Sequence, residues 1–301
     1  MNMSHDPNHQ ISNYNRAFAI GVVLNVIFVA IEAGYGVASG SLALIADAGH
    51  NLSDVLSLLL AWGAGLLAAK AATEKRTYGF RKVTIIASLA SAILLLVALG
   101  GITWEAIGRF FNPKPVDGMT VIAVAAIGVV INTITALLFV SGQKHDLNIR
   151  GAFLHMAADA GVSLGVVVAG IVIMATGWLV IDPLISLLIV AVILVGTWSL
   201  LRNSLNLAID AVPEGIDMDG IKRYLTGLEN VCQIHDLHVW PMSTTEVALS
   251  VHLIIGDDSL NDDFLSKLQQ QLHDRFGIEH STIQVERQDD GLCMLNKNGC
   301  I

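Results

Sequence analysis

Two patterns of the form His-x-x-x-Asp stand in strongly apolar surroundings: His50 with Asp54, and His155 with Asp159. On an α-helix, positions i and i+4 share one face about 6 Å apart, so each pattern sets an imidazole beside a carboxylate. Burying an ionisable group in hydrocarbon costs several kcal/mol, which makes an intramembrane His or Asp a functional residue by default. Two imidazoles and two carboxylates together form a four-ligand nitrogen/oxygen set that suits Zn²⁺. Neither Cys nor Met joins the set, which argues against Cu(I), and it lacks the larger oxygen cage that Ca²⁺ takes. The carboxylates neutralise a divalent cation that lipid otherwise excludes. Such ligands bind metal only when deprotonated, so metal occupancy trades against protons, which is the chemistry of a metal/proton exchanger. One pattern alone reads equally well as a His–Asp bond tying helices together; two at matching depth favour metal. Asp47, three residues before His50, shares its face and either orients the imidazole or bonds a neighbouring helix.

The elements that must carry these residues are membrane spans. A transmembrane helix needs about 20 mostly apolar residues, and six stretches qualify: 17–37, 42–69, 83–107, 119–140, 152–176 and 179–201. In the second span His50 and Asp54 stand about 12–18 Å below Leu42; in the fifth, His155 and Asp159 stand about 8–14 Å beyond Arg150. In a hydrocarbon core about 30 Å thick both pairs fall near the middle. Lys and Arg set the orientation: Arg16, Lys70, Lys75, Arg76, Arg81, Lys82, Lys144, Arg150 and Arg202 gather at one set of helix ends, and only Arg109 and Lys114 at the other. The positive-inside rule then places both termini in the cytoplasm. Glu32, Asn25 and Asn132 read as interhelical polar contacts, Glu105 as a solvated residue at an outer helix end, and Tyr35, Trp104 and Trp178 as interfacial anchors.

The 301 residues are 53% apolar and 14% charged, with a formal charge of −9. Residues 1–210 carry 11 acidic and 11 basic side chains; residues 211–301 carry 15 acidic and 6 basic. The acidic balance argues against a nucleic-acid partner. Cys232, Cys293 and Cys300 make no disulfide framework. The expected organisation is a polar tail (1–16), a six-helix transmembrane transport domain (17–208), a small cytoplasmic α+β domain (209–288) and a flexible tail (289–301). The third segment reads αββαβ, a reduced ferredoxin-like sheet with helices on one face. Its strands are expected at Ile234–Trp240, Val247–Ile255 and Ser281–Glu286. His238, three residues from His235, is expected on the opposite face of its strand, near Trp240.

Other classes fit less well. A proton-coupled transporter of another solute, using the His/Asp pairs as a relay, is the main alternative. An intramembrane metalloenzyme needs a base beside its metal, as in His-Glu-x-x-His, and no such motif occurs. A membrane-anchored metal sensor would bind metal in residues 212–301 without transport.

The run from Ser41 to Asp54, the second His-x-x-x-Asp, the six spans and the segment from His235 to Trp240 resemble the cation diffusion facilitator family, in its zinc-exporting branch, over about residues 15–287. The resemblance implies a homodimer in a plasma membrane, bacterial inner membrane by its compact loops, exchanging cytoplasmic Zn²⁺ for protons by alternating access. The family's transport ligands carry over to His50, Asp54, His155 and Asp159, and His50 at the first position implies zinc over cadmium. The cytoplasmic domain is implied to dimerise and to bind regulatory Zn²⁺, with His235, His252 and Glu286 at positions that ligate in some relatives. The chain departs from family patterns twice. The loop at residues 75–82 lacks the His residues of a loop metal site, so none is expected there, and the loop before the fifth span holds one His where many relatives have a run. His5 and His9, or Cys293 and Cys300, are alternative sites of metal capture.

Overall fold

The computed structural model describes residues 26–139, 147–229, 231–256 and 262–287. The chain divides into two compact units, one of residues up to Leu59 with Ser91–Ser199, the other of Leu60–Ala90 with Leu200–Ile301. The expected tails, the start of the first span with Asn25, and His5, His9, Cys293 and Cys300 lie outside the described residues.

The first unit is built of long apolar helices: α1 (Val26–Ser39), α2 (Leu42–Ala68), α3 (Val83–Phe111), α4 (Gly118–Phe139), α5 (Leu147–Thr176) and α6 (Ile181–Ala208), of which α2, α3 and α6 run on into the second unit. Among the described residues four segments are long and apolar enough to cross a membrane: all of α3 and α6, Gly118–Leu137 of α4 and Met156–Thr176 of α5. Their outward faces are apolar; Val97 is 70% exposed and Val195 75%. That inversion suits a lipid surround, because water penalises a continuous apolar belt. The inner faces meet in a core of Leu44 and Ala46 from α2, Leu99 from α3, Val121 and Ala125 from α4, Val166 from α5 and Ile189 and Ile193 from α6. Small residues set the closest approach, as expected where lipid offers helices no hydrophobic drive. At Gly128 of α4 a Cβ would stand 2.8 Å from the Phe28 ring and 3.1 Å from the Ser163 hydroxyl. Gly40, at φ +71°, turns the chain between α1 and α2 in a conformation that other residues adopt at a cost.

The second unit holds α7 (Met218–Thr226), β1 (Val231–Pro241), β2 (Val247–Ile255), α8 (Asp262–Phe276) and β3 (Ile278–Arg287). The three strands lie in the order β1-β2-β3, with β1 antiparallel and β3 parallel to β2. Strict alternation in β2 sends Val247, Leu249, Val251 and Leu253 into a core with Ile221 and Leu225 of α7 and Leu268 and Leu272 of α8. Asp217 caps α7, its carboxylate accepting the Gly220 N–H at 2.8 Å. The element order is the expected αββαβ, while β1 and β3 run longer at their ends than the alternation alone indicated.

The expectation for His238 is corrected. His235 pairs with His252 and His238 pairs with Ser250, so Asp236 and Leu237 of β1 together oppose the single Val251 of β2. The extra residue is Asp236, whose φ of +52° marks a β-bulge. The bulge restores His238 to the same face as His235 and His252, opposite the helix-packed core. Period-two counting fails there because the bulge adds a residue that alternation cannot register.

Candidate metal centres

The first centre lies between α2 and α5. His50 Nε2 stands 3.2 Å from Asp159 Oδ1, and Asp159 is buried. In tetrahedral Zn²⁺ sites with metal–ligand distances of about 2.0–2.1 Å, neighbouring ligand atoms are about 3.3 Å apart. The same two atoms are therefore spaced for a shared proton or as one edge of a metal polyhedron. Asp54 and His155 occupy the same two helices, one turn from His50 and Asp159 respectively. Their side chains lie outside the described residues.

The start of α2 is held by a residue from α6. The first N–H groups of a helix lack intrahelical acceptors. Here Leu42 N–H and Ala43 N–H donate to the Asp182 carboxylate at 2.7 and 3.2 Å, and Leu44 N–H donates to the Ser41 hydroxyl at 3.2 Å. The Ser41 hydroxyl in turn donates to Asp182 at 2.5 Å. A carboxylate at a helix N-terminus also meets the favourable end of the dipole. Asp182 is 1% exposed and its charge is met by Arg109 of α3 at 3.5 Å; Arg109 also donates to the Gly40 carbonyl. The register of α2, and with it the position of His50, is tied to α3 and α6.

Next to His50 in the chain, Asp47 and Asn51 take part in buried contacts that bridge helices. Asp47 accepts the Ser163 hydroxyl of α5 at 2.9 Å, so its hydrogen bond runs to a neighbouring helix. Glu32 of α1 accepts the Asn51 amide of α2 at 3.2 Å, the interhelical contact expected of it. Asn132 is buried in α4. Glu105 pairs with Lys114 at 2.7 Å and with Arg109 at 3.3 Å at the far end of α3, and Tyr35, Trp104 and Trp178 are exposed.

The second centre lies on the outer face of the sheet. Register alone aligns His235 with His252, and Ile254, the next residue of β2 but one to be paired on that face, with Glu286. His235 Nε2 lies 3.1 Å from Glu286 Oε2, and His252 Nδ1 lies 2.8 Å from Glu286 Oε1. The two imidazoles meet edge to face at 4.9 Å. One ligand atom from each of the three residues falls within 4.8 Å of the others. Both histidines are buried, and two nitrogens with one carboxylate oxygen are a donor set that Zn²⁺ accepts, so the residues fit the metal. Asp236 reaches His238 Nε2 at 2.9 Å and stands 3.5 Å from His252 Nε2.

Sequence reasoning passed over Asp182, Ser163, Asn51 and Asp236. Asp182 begins an apolar helix directly before a proline, a position typical of a capping residue; nothing local says that the capped helix is α2.

The family model described as "Cation efflux transmembrane domain" matches residues 18–207, and the one described as "Cation efflux protein, cytoplasmic domain" matches residues 213–288. The metal cation efflux system protein CzcD of Cupriavidus metallidurans is 35% identical over 288 residues, covering 95% of this chain and 90% of that protein. A cadmium, cobalt and zinc/H(+)-K(+) antiporter of Bacillus subtilis is 35% identical over 284 residues, covering 93% and 91%. Zinc transporter ZitB of Escherichia coli is 34% identical over 290 residues, covering 95% and 92%.

Proposed function

The chain belongs to the cation efflux family, whose members are membrane transporters of metal cations and not enzymes, and from that premise we propose that it exports Zn²⁺ from the cytoplasm in exchange for protons. In this reading the protein is a homodimer with six spans per protomer, both termini are cytoplasmic, and the membrane is the bacterial inner membrane. The antiporter and zinc-transporter names of its relatives support the substrates. The observation that carries the reading is the 3.2 Å approach of His50 Nε2 to Asp159 Oδ1 between two apolar helices. Asp54 and His155 complete the four-ligand set. Zn²⁺ entering from the cytoplasm displaces the protons held there, because imidazole and carboxylate bind metal only without them. Protons arriving from the other side displace the metal in turn. Neutralisation works both ways, so the site never presents an uncompensated charge to lipid.

His235, His252 and Glu286 form a regulatory Zn²⁺ site in the cytoplasmic domain, at which the bound metal draws β1, β2 and β3 together. The functional test is zinc flux by purified protein in liposomes across a panel of divalent metals. Saturable Zn²⁺ flux that His50→Ala abolishes supports the reading. Flux that persists in that variant contradicts the assignment of the site, and proton uptake without any metal flux favours the relay alternative.

A further inference from the structure

Residues 75–82, which lead from α2 into α3, form one wall of a cavity of about 400 Å³ within the second unit. The opposite wall is apolar, with Ile86 from the first turn of α3 and Trp240 and Met242 from the end of β1. The loop is built rather than draped: Thr73 and Arg76 exchange backbone hydrogen bonds at 3.0 Å, Tyr78 packs edge to face on His280 at 5.7 Å, and Thr244 N–H donates to the Thr84 hydroxyl at 3.1 Å.

Four cations line it, and they are not equivalent. Arg81 pairs with Glu246 at 3.3 Å and Lys82 with Asp210 at 2.6 Å, so both are neutralised. Arg76 lies over the Phe80 ring at 4.5 Å, and neither it nor Lys75 has a carboxylate partner among the described residues. Glu74, next in the chain, is outside the lining. The cavity thus offers two unneutralised cations beside aromatic surface. It opens at the start of a 29-residue apolar helix, where the Ile86 side chain is 60% exposed. A membrane lipid with an anionic headgroup has this same polarity: phosphate above, apolar chain below.

We propose that this cavity binds the headgroup of an anionic phospholipid, with Lys75 and Arg76 on the phosphate and Ile86 and Trp240 beside the upper chain. Basic side chains at a membrane surface attract anionic lipid, and a preformed cavity of a few hundred Å³ is of headgroup size. The inference rests on α3 being a membrane span and stands apart from the metal reading.

The test titrates short-chain phosphatidylglycerol, phosphatidylcholine and glycerol phosphate into the detergent-solubilised full-length protein, counting bound molecules by native mass spectrometry. Phosphatidylglycerol is expected to bind in preference to the other two, and Lys75→Gln/Arg76→Gln to bind it about 30-fold more weakly, two surface cations each contributing roughly a tenfold or smaller factor. Lys70→Gln, a nearby cation outside the cavity, is expected to bind as the wild type does. If the double variant unfolds, Lys75→Gln alone serves, since that side chain is exposed, and a loss of several-fold is expected. Equal binding by the variants overturns the proposal. So does equal loss in Lys70→Gln, which marks diffuse attraction, or equal binding of glycerol phosphate, which marks a free-anion site.

Discussion

At the scale of residues, the two centres answer to different substitutions. Asp159→Asn keeps shape and a hydrogen bond to His50 but removes a charge that a divalent cation needs; zinc flux in liposomes is expected to fall at least tenfold, at or beyond the effect of losing a supporting residue around a metal. His50→Asp replaces an imidazole nitrogen with a carboxylate that can bind through one or both oxygens, which relaxes the tetrahedral preference and admits the larger Cd²⁺, so the ratio of Cd²⁺ to Zn²⁺ flux is expected to rise. Glu286→Ala removes the carboxylate that both His235 and His252 approach. The zinc bound per protomer, measured by equilibrium dialysis, is expected to drop by one site while the transport site still fills. Ser163→Ala leaves the buried Asp47 carboxylate without its hydroxyl donor, at a cost of about 1–3 kcal/mol read by denaturation in detergent. His50 and Asp159, which the structure brings to 3.2 Å, were legible in the sequence because so few ionisable residues interrupt its apolar runs. Ser163 was not, since a hydroxyl in an apolar helix costs little and carries no comparable signal. Asp236 was hidden for another reason: a bulge shows in backbone pairing, and an aspartate at positive φ leaves no periodic trace.

At the scale of elements, the start of α2 sets where His50 stands. Asp182→Ala strips acceptors from Leu42 and Ala43 N–H and removes the buried carboxylate that faces Arg109, leaving that guanidinium only Glu105 and the Gly40 carbonyl. Breaking a buried ion pair in this way costs about 3–5 kcal/mol, so a fall in unfolding midpoint together with a weaker zinc affinity is expected. Gly128→Ala drives a methyl against Phe28 and Ser163, an overpacking worth about 1–3 kcal/mol. The α4 start carries a pH dependence of known sign. Thr120 hydroxyl and N–H, with Met119 N–H, donate to Asp117 and hold its carboxyl below the ordinary aspartate value. A lowered folded value adds stability above the unfolded one and loses it as pH falls through the folded value. The midpoint difference between wild type and Thr120→Ala is therefore expected at neutral pH and to shrink on acidification below about pH 4. Helix positions and β2 follow directly from hydrophobic length and alternation. The pairing of α6 with the start of α2, 140 residues apart, does not, because capping fixes the chemistry of a residue and not its partner.

At the scale of the whole molecule, the uneven charge divides labour. Residues 1–210 are neutral overall, and their described helices present apolar faces outward, whereas the −9 resides in residues 211–301. Within that stretch lies a small sheet-and-helix domain whose outer face gathers His235, His252 and Glu286. The low charge fraction is what made a candidate transport site readable, since a charged residue retained in a span must have a partner or a task. In the proposed cycle metal and protons exchange on one set of ligands. The most direct measurement follows zinc and pH together in proteoliposomes of known orientation, with wild type and Asp159→Asn side by side. An imposed zinc gradient is expected to drive proton movement in the opposite direction at a fixed ratio, with both fluxes lost in the variant. Zinc flux that proceeds without counter-movement of protons, or coupled fluxes that survive in Asp159→Asn, would contradict the account.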